Sequence, residues 1–165
     1  MKQERLNKLR AAVLGANDGI ISVSTALVAV IGVFGEREVF LTAVAVLLAG
    51  AISMAAGEYV SVSAQVNHEL DDDETSLTDS AAPVQAAGAS FVAFLAGGVL
   101  PAALAFLTHN SLLVIAAALA LLVTSATLTS KRSARLKSTI RLATVGAAAL
   151  GISLLGNYVL QSLGV

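Results

Sequence analysis

Residues 50–65, GAISMAAGEYVSVSAQ, decide how this chain is to be read. The segment is apolar enough to lie in a lipid bilayer, yet it carries Met54 and Glu58 four residues apart, a spacing that a helix stacks on one face. Upstream, GANDGIISVSTALVAVIGVFG (15–35) places a second acid, Asp18, inside another long apolar run. An ionisable group at membrane depth is costly, so its default reading is functional, as part of an ion or proton path.

The composition around these two segments agrees. Of 165 residues, 56% are hydrophobic and 13% charged, and the mean hydropathy is +0.83. A soluble globule of this size leaves too much of its surface in water to hide such a chain. The sequence therefore predicts an all-α integral membrane protein, since helices satisfy every backbone group within lipid and open sheets do not. The net charge of −1 gives no reason to expect a nucleic-acid partner. There are no cysteines, which excludes disulfides and thiolate metal sites. The opening MKQERLNKLR leads into a segment of full membrane length without a signal-peptide cleavage pattern, so the first helix is expected to remain in the mature protein.

About 20 apolar residues span the hydrocarbon core, and five windows of that kind fall at about 11–34, 39–64, 85–107, 111–130 and 140–163, making one membrane domain over 1–165. Residues 80–130 contain no Asp, Glu, Lys or Arg, and Thr108-His109-Asn110-Ser111 is the one polar patch able to turn the chain there. Pro101 is expected to kink the third helix. Nine of the ten basic residues lie before the first window (Lys2, Arg5, Lys8, Arg10) or at the loop joining the fourth to the start of the fifth (Lys131, Arg132, Arg135, Lys137, Arg141), leaving Arg37 on the other side. Basic residues favour the side that is not translocated, which predicts a cytoplasmic N-terminus and an outside C-terminus.

That topology also places residues 67–83 in the cytoplasm. The stretch holds Glu69, Asp71, Asp72, Asp73, Glu74 and Asp79 without a base. It reads either as a solvated acidic linker or as an electrostatic funnel that attracts divalent cations, and it lacks the glycine and closing glutamate of an EF-hand.

Helix rise gives the depth of the membrane acids. Asp18 lies eight residues past Arg10, or ~12 Å; Glu58 lies eleven residues before Glu69, or ~16 Å; Met54 is ~6 Å deeper again. All three are expected to meet in one layer of the cytoplasmic half. Carboxylates alone suit Mg²⁺, Ca²⁺ or Mn²⁺, and an added thioether shifts preference toward softer ions such as Fe²⁺. Carboxylates bind protons as well as metals, so exchange of one for the other is the natural mechanism. Each residue also has a plainer role open to it: Met54 as a gap filler, Asp18 and Glu58 as hydrogen-bonding groups between helices. Gly15 and Gly19 stand at GxxxG spacing; Gly97, Gly98, Gly146, Gly151 and Gly156 read as packing residues, and His68 and His109 as loop residues.

RAAVLGANDGIISVSTALVAVIGVFG (10–35) and AGAISMAAGEYVSVSAQ (49–65) together resemble the first two helices of the vacuolar iron transporter family, a eukaryotic and bacterial group of five-helix divalent-metal transporters. Gly15, Asn17, Asp18 and Gly19 and the string SMAAGEYVS carry the resemblance; the last three helices match in number and in the basic loop before the fifth. It implies a homodimer whose path is formed by the first two helices of both subunits, and exchange of Fe²⁺, often also Mn²⁺, for protons. By this resemblance Asp18 and Met54 match metal-path positions and Glu58 the helix-two glutamate. Typical members insert a helical cytoplasmic metal-binding domain between helices two and three. Here that insert is reduced to 67–83, which makes this a short-loop member and leaves metal capture and the choice between iron and manganese open.

Five thin helices do not easily enclose a hydrated pathway, and two-fold symmetry is the commonest closed arrangement, so a parallel homodimer in the bilayer is expected on physical grounds as well. The expected function is export of Fe²⁺ or Mn²⁺ from the cytoplasm in exchange for protons. The metal and the protons are substrates, and no permanently bound cofactor is expected. The membrane would be the plasma (inner) membrane in a prokaryote and a vacuolar-type membrane in a eukaryote. The alternative is a non-transporting scaffold whose acidic loop docks a cytoplasmic protein, though a scaffold has little reason to hold Asp18 and Glu58 in lipid. Neither a GxGD-type aspartate pair nor a serine and histidine placed together in the membrane is present, so no enzymatic activity is expected.

Overall fold

The computed structural model describes residues 2–71 and 82–164, with side chains placed over 5–66 and 82–164. The described residues form five helices: α1 Lys2–Val30, α2 Glu36–Asp71, α3 Ala82–Thr108, α4 Ser111–Thr129 and α5 Arg135–Ser162. All five are long and apolar enough to cross a membrane.

Several ends differ from the hydropathy windows. α1 starts at Lys2 rather than near 11, α2 runs on to Asp71 rather than stopping near 64, and α5 starts at Arg135 rather than near 140. Lys, Arg, Gln, Glu and Leu are good helix formers in water as well as in lipid, so these helices continue past the hydrocarbon layer that hydropathy detects. α2, at 36 residues, is about 54 Å long by helix rise. Five positions of the stretch assigned to a loop, 67–71, are thus helical in backbone.

The turns follow from local chemistry. Between α1 and α2 the chain reverses through Gly32, whose φ of +83° falls where side-chain-bearing residues are strained. The polar patch at 108–111 is the α3–α4 turn. Thr108 Oγ1 donates to the Leu104 carbonyl, and Asn110 caps α4 by accepting from the backbone N–H groups of Leu112 (3.0 Å) and Leu113 (3.2 Å). Pro101 is buried within α3, which continues unbroken past it to Thr108. Near this same end of the bundle, Phe106 packs against Phe40 with ring centroids 5.4 Å apart.

Among the described residues α1 is the hub, touching all four other helices; α2 touches only α1 and α3, and α5 only α1 and α4. Gly15 lies against Ser90 and Gly19 against Phe94, four residues further along each helix, so α1 and α3 run parallel. A Cβ at Gly19 would overlap the Phe94 carbonyl, and one at Gly97 would overlap that of Ala16. Absent side chains let the two backbones meet.

The other side of α1 is held by polar side chains. Ser153 donates to the Thr25 carbonyl. Buried Asn157 donates to the carbonyls of Ala29 (3.0 Å) and Ile31 (2.7 Å), and Gln161 donates to Asn157 in turn (2.8 Å). Asn157 thereby satisfies carbonyls that a helix terminus leaves without partners. The fixed offset between these pairs makes α5 parallel to α1 as well. Arg5, Lys8 and Arg10 therefore share one end of the bundle with Lys131, Arg132, Arg135, Lys137 and Arg141, and Arg37 lies at the other. Gly146 packs against Leu122, as expected, but a Cβ at Gly151 or Gly156 would meet nothing within 4 Å. Those two glycines face outward rather than serving packing within the chain.

Candidate metal site

Four-residue spacing puts Arg10, Leu14, Asp18 and Ser22 in one row along α1, and Gly50, Met54 and Glu58 in a facing row along α2. Between the rows runs a groove of about 550 Å³, with Phe94 of α3 at its floor. Phe94 is 1% exposed, and its ring lies against Gly50, where any side chain would displace it. Asp18, Met54 and Glu58 all line this groove.

They do not share one layer. Gly19 and Gly50 both abut Phe94, which brings Asp18 to the level of Gly50. Glu58 is eight residues further along α2, or ~12 Å by helix rise, and Met54 lies midway. The pairing of Glu58 with Arg10, itself eight residues before Asp18, gives the same register. The layer expected from sequence came from measuring depth back from Glu69 as though Glu69 stood at the membrane boundary that Arg10 marks on α1, whereas Arg10 meets Glu58. α2 in fact continues to Asp71.

Each acid already has a partner. Asp18 is half-buried and accepts a hydrogen bond from Ser22 Oγ at 2.7 Å. Glu58 is 4% exposed, and its Oε2 lies 3.2 Å from Arg10 Nη2, whose side chain is 48% exposed. Met54 is half-buried between them. The groove thus offers a carboxylate and a hydroxyl at one level, a thioether at the next, and a paired carboxylate at its outer end. Among the described residues no three His, Cys, Asp or Glu side chains come together as a metal cluster.

Asn17, beside Asp18 in sequence, is not part of the groove. It accepts a hydrogen bond from Ser125 of α4 at 2.7 Å. His109 sits in the α3–α4 turn. Glu69 and Asp71 fall on the last turns of α2, where only the backbone is described; Asp72, Asp73, Glu74 and Asp79 lie outside the described residues. Sequence reasoning used Arg10 only as a marker of orientation and missed it as a lining residue, along with Ser22. The available signal was a lone acid near the end of one membrane helix and a base at the matching end of its antiparallel neighbour.

The chain matches the VIT family over residues 9–76 and 66–156. It belongs to that family. Among curated relatives, this VIT family member is 44% identical over 110 residues to Vacuolar iron transporter homolog 2 of Oryza sativa subsp. japonica, covering 59% of this chain and 58% of the relative. It is 41% identical over 104 residues to Vacuolar iron transporter homolog 2 of Arabidopsis thaliana, covering 59% and 53%. Over a shorter stretch of 68 residues it is 52% identical to Vacuolar iron transporter homolog 3 of Oryza sativa subsp. japonica, covering 40% and 27%. The matches to the first two span little more than half the length of those relatives. No solved structure matches the chain. With five membrane-length helices and this membership, the VIT family chain is an integral membrane protein.

Proposed function

We propose that this chain moves a divalent transition-metal ion, Fe²⁺ or Mn²⁺, out of the cytoplasm through the α1–α2 groove in exchange for protons. The observation that carries the reading is one groove, within membrane-length helices, lined by Asp18, Met54 and Glu58. The names of the relatives given above, vacuolar iron transporter homologues, support it. In this reading Asp18 offsets the dehydration cost of the ion, Met54 supplies a softer ligand that favours Fe²⁺ over Ca²⁺ or Mg²⁺, and Glu58 exchanges metal for protons.

One chain supplies too few ligands at any level of the groove. A second, parallel copy across the open side of α2 would bring another Asp18 and Met54 to the same ion, which favours a two-fold homodimer. Ser53 lines the groove and is exposed; in such a dimer Ser53→Cys chains should cross-link to each other on oxidation. The acidic residues 69–74 would raise the metal concentration at the cytoplasmic end.

Purified protein in proteoliposomes decides the function. Under an imposed pH gradient it should take up Fe²⁺ and Mn²⁺ in preference to Ca²⁺, with counterflow of protons. Failure with every metal would return the chain to the scaffold reading. For orientation, Ser133→Cys should react with an impermeant thiol reagent only from the cytoplasmic side and Gly164→Cys only from the opposite side.

A further inference from the structure

We propose that Arg10 is a selectivity element of the groove: its guanidinium is the resident counter-ion of ionised Glu58, and among metal ions only a divalent one displaces it. The inference rests on the transport reading above and assigns a role to a residue that reading does not use.

Glu58 is almost fully buried, whereas Arg10 is half in water, and the two meet at 3.2 Å across α1 and α2. Leaving a buried, ionised carboxylate without a partner is strongly unfavourable, so Glu58 is either protonated or held by a cation. The asymmetry of exposure fixes how the pair opens. Arg10 swings outward on its flexible stem into water, while Glu58 stays in the wall of the groove.

Charge then sets who can replace it. A monovalent ion offers Glu58 no more charge than the guanidinium does, and it competes against a group tethered beside the carboxylate at high effective concentration. A divalent ion at the same distance interacts twice as strongly by Coulomb's law. With the guanidinium swung out, the groove holds the carboxylates of Asp18 and Glu58, ~12 Å apart, and no base, so one divalent ion at Glu58 balances the charge of the groove without bridging the two. Arg10 thus raises the threshold for entry, excluding Na⁺ and K⁺ at the cost of weaker metal binding.

The test is Mn²⁺ binding by calorimetry to the full chain in lipid nanodiscs, with Na⁺ exchanged for N-methylglucamine at constant ionic strength so that screening is unchanged. In the unaltered chain Mn²⁺ affinity should be the same in both salts. Arg10→Gln should bind Mn²⁺ about tenfold more tightly in N-methylglucamine, from the removal of one neighbouring positive charge, and should lose that gain in Na⁺. Arg10→Lys keeps a shorter cation and should move both readouts part of the way, which preserves the test if Arg10→Gln does not fold. Adding Glu58→Gln should abolish the effect of either substitution. Unchanged affinity and salt response in folded Arg10 variants, or the same shifts in the Glu58→Gln background, would overturn the inference alone. Absence of any metal binding by the unaltered chain would overturn the transport reading and this inference with it.

Discussion

α1 presents two faces that solve opposite problems. Toward α3, Gly15 and Gly19 remove side chains so that backbones meet, leaving no room for a methyl group. Toward α2, Arg10, Leu14, Asp18 and Ser22 keep their side chains and hold a groove open. The two faces come from adjacent residues, because each helical step turns the chain by about 100°. GANDG thus distributes itself around the helix, with Gly15, Ala16 and Gly19 against α3, Asn17 bonded to α4 and Asp18 facing α2. The lesson is a division of labour: the closed seam sets the position of the open groove, and the groove keeps the ionisable side chains.

That division predicts that damage to the two faces separates cleanly. Gly19→Leu forces a side chain into the Phe94 backbone and should destabilise the chain by more than ~3 kcal/mol, at or beyond the usual range for overpacking, abolishing the folded state in detergent melts. Gly88→Ala on the open face of α3 is its control and should leave the melt unchanged or slightly raised. Asp18→Asn should do the reverse, reducing metal uptake into proteoliposomes to background while the melting transition stays in place; unchanged uptake would remove Asp18 from the path. Asn157→Ala, on α5 against the polar side of α1, should cost about 1–3 kcal/mol for the carbonyls it leaves unsatisfied, with transport lowered only in proportion to the folded fraction. Met54→Leu should be the mildest, costing under ~1.5 kcal/mol because volume and apolarity are kept. Its signature should be a lower Fe²⁺ to Mn²⁺ uptake ratio, and an equal loss of both would assign Met54 to packing.

The helix count was legible in the sequence because hydropathy reports the hydrocarbon layer directly. The α3–α4 turn was legible because Thr108–Ser111 is the one polar patch in a long uncharged stretch. What lay outside the layer was not: nothing in an apolar window marks where α1, α2 and α5 continue into water. The same blindness misplaced Glu58, whose depth was counted from Glu69 as though that residue stood level with Arg10, whereas Glu58 itself does. Arg10 was hidden because a base at a membrane boundary already has a sufficient explanation in topology, so its contact across to α2 needed the three-dimensional register. Ser153 and Asn157 were hidden in the opposite way, as isolated polar residues in a long helix whose partners are backbone carbonyls, which no side-chain pattern reveals.

The Asn157 bonds also order events in time. The carbonyls of Ala29 and Ile31 are made first, and the amide that holds them follows 128 and 126 residues later. At translation rates of ~5–20 residues per second this is a wait of roughly 6–25 s. During that interval the nascent α1 can settle its glycine seam with α3, but its C-terminal end has only water and lipid headgroups to bond. α5, made well after α1, is therefore the clasp of α1, and biogenesis proceeds from the half of the bundle that bears the groove to the half that locks it.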